Sequence, residues 1–371
     1  MRAMDTLKYS LSKKLFERFQ YGNVRNLSTT FQGIDFSSND YLGLANSLIL
    51  KEQIYSSLEN ESPIGATGSR LLSGNSKLVM DLEEELAIKF NSEGALLFNS
   101  GMDLNIGFLS TIPKEGDTII LDQYIHASLK MGAKLSQAST FYFRHNCLIN
   151  LERKLASAKG NIFVVVESVY SMDGDIAPLK EMVELCDKYG ANLLVDEAHG
   201  AGVLGPKSRG LVAQLGLEKK VLGRIVTFGK AFGVHGAVFL GDPVIIKYLV
   251  NFCQSFIYTT ALPPHSLISI REAIRFSWEH PNLQLKLQEN IELFKTKMEI
   301  KNQESPIFPI RFPSLELLES TFLKLKAKGF KTFPIYSPTV QKGTERLRIC
   351  IHSFNEEKDI IEVANIIKGS L

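Results

Sequence analysis

The chain repeats one local pattern: a short apolar or β-branched run, at residues 95–98, 118–121, 162–166, 192–195 and 225–228, with helical stretches such as 179–189 between some of the runs. Strands that read as continuous apolar runs are covered on both faces, and strands alternating with helices pair in parallel. The pattern predicts an α/β fold, with a parallel or mostly parallel sheet between two layers of helices. Ahead of the first run, KLVMDLEEELAIKF at 77–90 sets Leu78, Leu82, Leu86 and Phe90 at helical spacing with acids between them, which predicts an amphipathic helix.

Residues 1–45 read as an arm, with a polar helix, a short strand at 31–36 and the turn-like SSNDYLGL. Residues 46–270 hold the repeating pattern and form the expected large domain. After it the texture changes to long polar helices and then strand-like pieces around Pro309 and Arg346, the expected small C-terminal domain at 271–371. A chain of 371 residues has room for both.

A net charge of +2, with 22% charged residues, lacks the basic excess of a nucleic-acid binder. The N-terminus has no signal-peptide core, and no run approaches the roughly 20 apolar residues that span a bilayer, so a cytoplasmic protein that binds neither nucleic acid nor membrane is expected. Cys147, Cys186, Cys253 and Cys350 are far apart and form no C-x-x-C pair, and the histidines form no H-E-x-x-H. Neither a metal site nor a disulfide framework is expected.

Chemistry in open α/β sheets collects at the carboxyl ends of the strands. VDEAHGAGVLG stands at one such end and carries two misleading strings. Asp196-Glu-Ala-His199 spells an NTPase motif. Its partner loop G-x-x-x-x-G-K-[ST] is missing, because the nearest candidate, residues 223–230, is one residue too long and is followed by Ala231. Gly200-Ala-Gly202-Val-Leu-Gly205 spells G-x-G-x-x-G, but Pro206 and KSRG after it open no helix on which a pyrophosphate could sit.

A different set of strand-end residues suits pyridoxal 5′-phosphate (PLP), which needs a lysine, a carboxylate at its pyridine nitrogen, a flat group over its ring and a phosphate cup. Lys230 follows IVTF, with Thr227 three residues earlier and Gly229 and Gly233 beside it to leave room for a flat cofactor. Asp196 ends NLLVD, and a carboxylate there is costly to bury without a cationic partner. A helix cap or a structural ion pair would also account for it. His199 stands three residues on. Asn99-Ser100-Gly101-Met102 leads from a strand into a helix start at Asp103, where free N–H groups form an anion site. His126 and Ser171 stand in loops after other strands, His126 as a ring-stacking candidate or an ordinary loop histidine, Ser171 as a site or turn residue.

Nine ordered strings, DFSSNDYLGL, GATGSRLLSGN, LEEELA, LLFNSGM, HAS, SMDGDIAPL, DEAHGAGVLG, TFGKAFG and YTTALPP, resemble the α-oxoamine synthases from about residue 35 onward. The resemblance implies a fold type I PLP-dependent transferase, with a mostly parallel seven-stranded sheet and a smaller α+β C-terminal domain. It implies an enzyme that condenses a small amino acid with an acyl thioester and releases CO₂, as a homodimer with shared active sites. By the same resemblance Lys230 carries the Schiff base, Asp196 meets the pyridine nitrogen and His126 stacks on the ring. His199 and Ser171 would contact the phenolic oxygen, and Gly101, Met102 and Thr227 the phosphate. Thr259 would reach the neighbouring subunit's phosphate, and Asn39 and Arg348 would hold the substrate carboxylate. FSSNDYLGL, GSRLLSGN and PTVQKGTERLRI look most like the member that joins L-alanine to a pimeloyl thioester; glycine-using and serine-using members are the alternatives. Two departures stand out: Tyr336, ahead of Pro338 and Thr339, replaces an arginine suited to an acyl carboxylate, and Met102 replaces an aromatic. Arg18 is the candidate substitute for that arginine, and Thr339 a further substrate-binding candidate.

Overall fold

The computed structural model describes residues 3–20, 24, 27, 33–58 and 63–371. Its centre is a seven-stranded sheet of β1 (Gly94–Phe98), β2 (Thr118–Asp122), β3 (Ser139–Phe143), β4 (Ile162–Glu167), β5 (Ala191–Asp196), β6 (Gly223–Thr227) and β7 (Ala237–Gly241). They lie in the order β1-β7-β6-β5-β4-β2-β3. β7 is antiparallel to both neighbours, and the other pairs are parallel. Val164, Val166 and Val195 pack into the core on one face, Val165, Leu194 and Ile225 into that on the other. Because both faces are buried, these strands read as unbroken apolar runs.

β3 and β7 were not among the expected runs. β3 is an edge strand with most of its residues partly or fully exposed, so STFYF mixes polar and aromatic residues. β7 follows β6 after a short glycine-rich loop, too short for a crossover helix, and therefore runs antiparallel.

The helix Lys77–Lys89 is capped by Ser76, whose hydroxyl accepts from Val79 N at 3.4 Å. It buries Val79, Leu82 and Leu86, while Leu78 is only half-buried.

In the C-terminal part, Phe333–Ile335, Arg346–Cys350 and Ile307–Arg311 form an antiparallel sheet. Helices Pro281–Met298, Leu315–Ala327 and Glu357–Lys368 accompany it. The helix Pro264–Glu279 passes through residue 270 without a break.

Of the expected strand at 31–36, Ile34–Asp35 forms and pairs with Phe330–Lys331; Phe31 and Gln32 lie outside the described residues. Cys350 N donates to Phe36 O at 2.8 Å and Ser353 N to Tyr41 O at 2.9 Å. Residues 34–41 are thus stitched to the C-terminal strands, which carries Asn39 to Arg348.

Candidate active site

The carboxyl ends of β1, β2, β4, β5 and β6 converge on a pocket of about 170 Å³. Gly101, Met102, His126, Asp196, Thr227 and Lys230 line it, joined by Asn105, Ser128 and Glu167. Thr227 is the last residue of β6. The loop after it is anchored by the fully buried Phe228 and Phe232, and this fixes the base of Lys230 between them. Gly233, at φ +67°, serves packing rather than cofactor room: a Cβ there would lie 2.3 Å from Ala45 N.

Asp196 is nearly fully buried and held by neutral donors. Its Oδ2 accepts from Asn105 Nδ2 at 2.9 Å, and its Oδ1 from Ala198 N at 2.9 Å. Among the described residues no ammonium or guanidinium lies within ion-pair distance of it, a state that favours a cationic ligand. Asn105 Nδ2 also donates to Ser128 Oγ at 2.9 Å, and Ser128 Oγ meets His126 Nδ1 at 2.7 Å. One hydrogen-bonded row therefore connects Asp196 to the His126 ring. The backbone N–H of His126 donates to Glu167 Oε1 at 2.5 Å, which fixes the start of helix Ala127–Leu135 against the end of β4.

Burial lowers the Lys230 pKa to about 8, against the pull of the Asp196 and Glu167 charges. Burial, and then the charge of Asp196, raises that of Glu167. His199 lies well below its ordinary value because it is buried and faces the charges of Lys230 and Arg348. The pocket thus presents a lysine close to releasing its proton and an acid inclined to keep one, with the neutral imidazole of His199 next to the lining residue Ala198.

His199 Nδ1 meets the hydroxyl of the buried Tyr41 at 2.8 Å, and that hydroxyl donates to Asn39 Oδ1 at 3.2 Å. Arg348 Nη2 donates to the same Asn39 oxygen at 3.0 Å, while its Nε donates to Ser171 O at 2.7 Å and its Nη1 to Cys350 Sγ at 2.8 Å. Arg348 is 7% exposed, and no described carboxylate pairs with it. A buried guanidinium with only neutral partners keeps its charge uncompensated, a state that favours an anionic ligand.

The remaining expected residues fall at varied distances from this centre. Ser100 caps helix Gly101–Thr111: its hydroxyl accepts from Asp103 N at 3.1 Å and donates to Asp103 Oδ2 at 2.8 Å. The first residues of that helix, Gly101 and Met102, line the pocket. Thr259 Oγ1 accepts from Asn99 Nδ2 at 3.0 Å, outside the pocket lining. Ser171 and Thr339 line a second pocket of about 450 Å³ that shares His126 with the first. Arg18 stands on the exposed helix Ala3–Gln20, and no described contact joins it to the others.

Glu197 of the DEAH string accepts from Leu211 N at 3.1 Å and Val212 N at 2.7 Å, so it caps a short helix. Among the described residues no cluster of three or more His, Cys, Asp or Glu could hold a metal ion. Glu167, Asn105, Ser128 and Tyr41 were missed from sequence. Glu167 ends IFVVVE as Asp196 ends NLLVD, and the rule that found one applies to the other.

The family described as Aminotransferase class I and II matches residues 32–367. The 8-amino-7-oxononanoate synthase of Emericella nidulans is 39% identical over 359 residues, 88% of this chain and 86% of its own. The solved 8-amino-7-oxononanoate synthase of Francisella tularensis superposes with a TM-score of 0.77 at 30% identity, covering 91% of this chain and 97% of its own. A serine palmitoyltransferase variant from S. paucimobilis, solved with a bound PLP–myriocin aldimine, gives a TM-score of 0.88 at 26% identity, with 97% and 96% covered.

Proposed function

The chain belongs to the class I and II aminotransferase family, and from that premise we propose a PLP-dependent acyltransferase that joins L-alanine to a pimeloyl thioester. CO₂ leaves and 8-amino-7-oxononanoate results, a step of biotin biosynthesis. One observation carries the reading: a lysine of lowered proton affinity and a buried carboxylate without a cation share one pocket at the strands' carboxyl ends.

The donor set fits PLP. Asp196 would meet its ring nitrogen, His126 cover its ring, and His199 and Ser171 its phenolic oxygen. Gly101, Met102 and Thr227 would hold its phosphate, with Ser100 shaping the helix end. PLP when bound supplies the electron sink that makes bond breaking at the amino acid's Cα feasible. Lys230 is suited to take a proton from that Cα and return it, because its pKa of about 8 leaves part of it neutral near physiological pH. Arg348 would grip the amino acid's carboxylate, with Asn39 holding the guanidinium plane. The 46–270 segment thereby supplies the cofactor groups, and 271–371 supplies Arg348.

A homodimer is part of the proposal, with Thr259 reaching the partner's phosphate. Leu7, Leu11, Leu15 and Phe19 support it, because they recur every four residues on the first helix and are all more than half exposed. A second copy would cover that stripe. No described helix is long and apolar enough to cross a membrane, and cytoplasmic residence is proposed with the rest.

The test is to mix PLP-loaded protein with L-alanine, glycine or L-serine, add pimeloyl, acetyl or palmitoyl thioesters, and measure CO₂ and product. L-alanine with the pimeloyl thioester is the expected pair. A preference for glycine with acetyl-CoA, or for L-serine with palmitoyl-CoA, overturns the substrate assignment.

A further inference from the structure

The 450 Å³ pocket has the size of a small-molecule site and opens beside the cofactor groups at His126. Its wall includes Pro338, Thr339 and Val340, just after Tyr336, the position at which the resembling synthases carry arginine. An acyl chain ending in a carboxylate needs a cation where that end comes to rest. Two basic residues line this pocket, Arg346 and Lys130.

Arg346 is committed elsewhere. Its Nη1 pairs with Asp173, and its Nε donates to Thr344 O at 2.9 Å. Asp173 also pairs with Arg311 Nη2 at 3.3 Å, so the cluster keeps a net charge of +1, but Arg346 is buried within it and fixed there by these bonds. Lys130 differs. It is half-buried on helix Ala127–Leu135, and its Nζ donates to Gln123 O at 2.8 Å. No carboxylate among the described residues pairs with it, and an ammonium has three donors, of which this bond uses one. Its charge reaches the first pocket: after burial, Lys130 joins Lys230 in lowering the His126 pKa, against Asp196.

We propose that Lys130 is the specificity-determining cation for the acyl substrate, binding the free carboxylate of a dicarboxylic acyl chain in place of the arginine replaced by Tyr336. This rests on the acyltransferase reading and deepens it. Arg18 is not needed for the role. The rival source of negative charge is a phosphate of the acyl carrier, and the two differ in what they predict for an acyl chain that ends in methyl.

The experiment compares PLP-loaded wild type, Lys130→Met and Lys130→Arg on pimeloyl-CoA and heptanoyl-CoA, which share carrier and chain length. In Lys130→Met the ratio of kcat/KM for pimeloyl over heptanoyl should fall roughly tenfold, the worth of one charge-assisted hydrogen bond, through KM rather than kcat. Lys130→Arg should restore most of the ratio. Free pimelate, titrated by calorimetry, should bind the wild type more tightly than Lys130→Met. An unchanged ratio overturns the proposal, and equal losses on both thioesters assign Lys130 to the carrier's phosphate instead. If the wild type turns over neither thioester with L-alanine, the acyltransferase reading falls first and takes this proposal with it.

Discussion

His145 is a pin whose strength follows from geometry. Its Nδ1 lies 2.9 Å from Asp122 Oδ1, at the buried end of β2, and its Nε2 lies 2.5 Å from Asp175 Oδ2. Asp175 belongs to the loop after β4 that carries Ser171, whose carbonyl holds Arg348. Burial alone would lower the histidine's pKa, but hydrogen bonds to both carboxylates and their charges outweigh it and raise the pKa from 6.5 to about 9. At 1.36 kcal/mol per pKa unit that rise is worth about 3 kcal/mol, and screening at a side chain 15% exposed trims it to about 2. The folded state binds this proton more tightly than the unfolded chain does. The stabilisation is therefore whole below the unfolded pKa of 6.5 and is lost as pH rises towards 9. Denaturant midpoints for wild type and His145→Gln, measured in steps from pH 6 to 9.5, should show a stability gap that narrows by about 2 kcal/mol across the range. A gap that stays constant or widens with pH would mean that His145 holds no extra proton in the folded state.

Arg348→Lys replaces a fork by a point charge, and the apparent dissociation constant of L-alanine, followed by the visible spectrum of the PLP-loaded protein, should rise by about 100-fold. Unchanged affinity would remove Arg348 from the carboxylate site. The rate at which cofactor-free protein takes up PLP at Lys230 should rise with pH to about 8 and then level, because only the neutral amine reacts. A rate still climbing towards pH 10 would mean an ordinary solvated lysine.

The sheet and much of the candidate site were legible because one physical rule governs both. Buried parallel strands are written as apolar runs, and the polar residues that break them, Asp196 and Thr227, are those a pocket at the strand ends receives. Glu167 obeys that rule and was readable. Asn105 was not, since its partner Asp196 lies 91 residues away and a lone asparagine on a helix carries no sign of it. Tyr41 was hidden in a turn whose burial depends on the C-terminal strands. The pairing of Asn39 with Arg348 spans 309 residues, and the nine-string resemblance rather than any local pattern pointed to both. Ser100 and Gly233 show the converse. Their types suited a cofactor site, yet the hydroxyl caps a helix and the glycine admits the backbone at Ala45.

Borohydride reduction of the PLP-loaded protein, followed by peptide mass spectrometry, tests the role of Lys230 most directly. Pyridoxal phosphate should become fixed covalently to the peptide bearing Lys230. Lys230→Ala should lose the adduct, the visible absorbance and turnover while keeping its melting temperature. An adduct on another lysine, or a Lys230→Ala protein that stays coloured and active, would contradict that role.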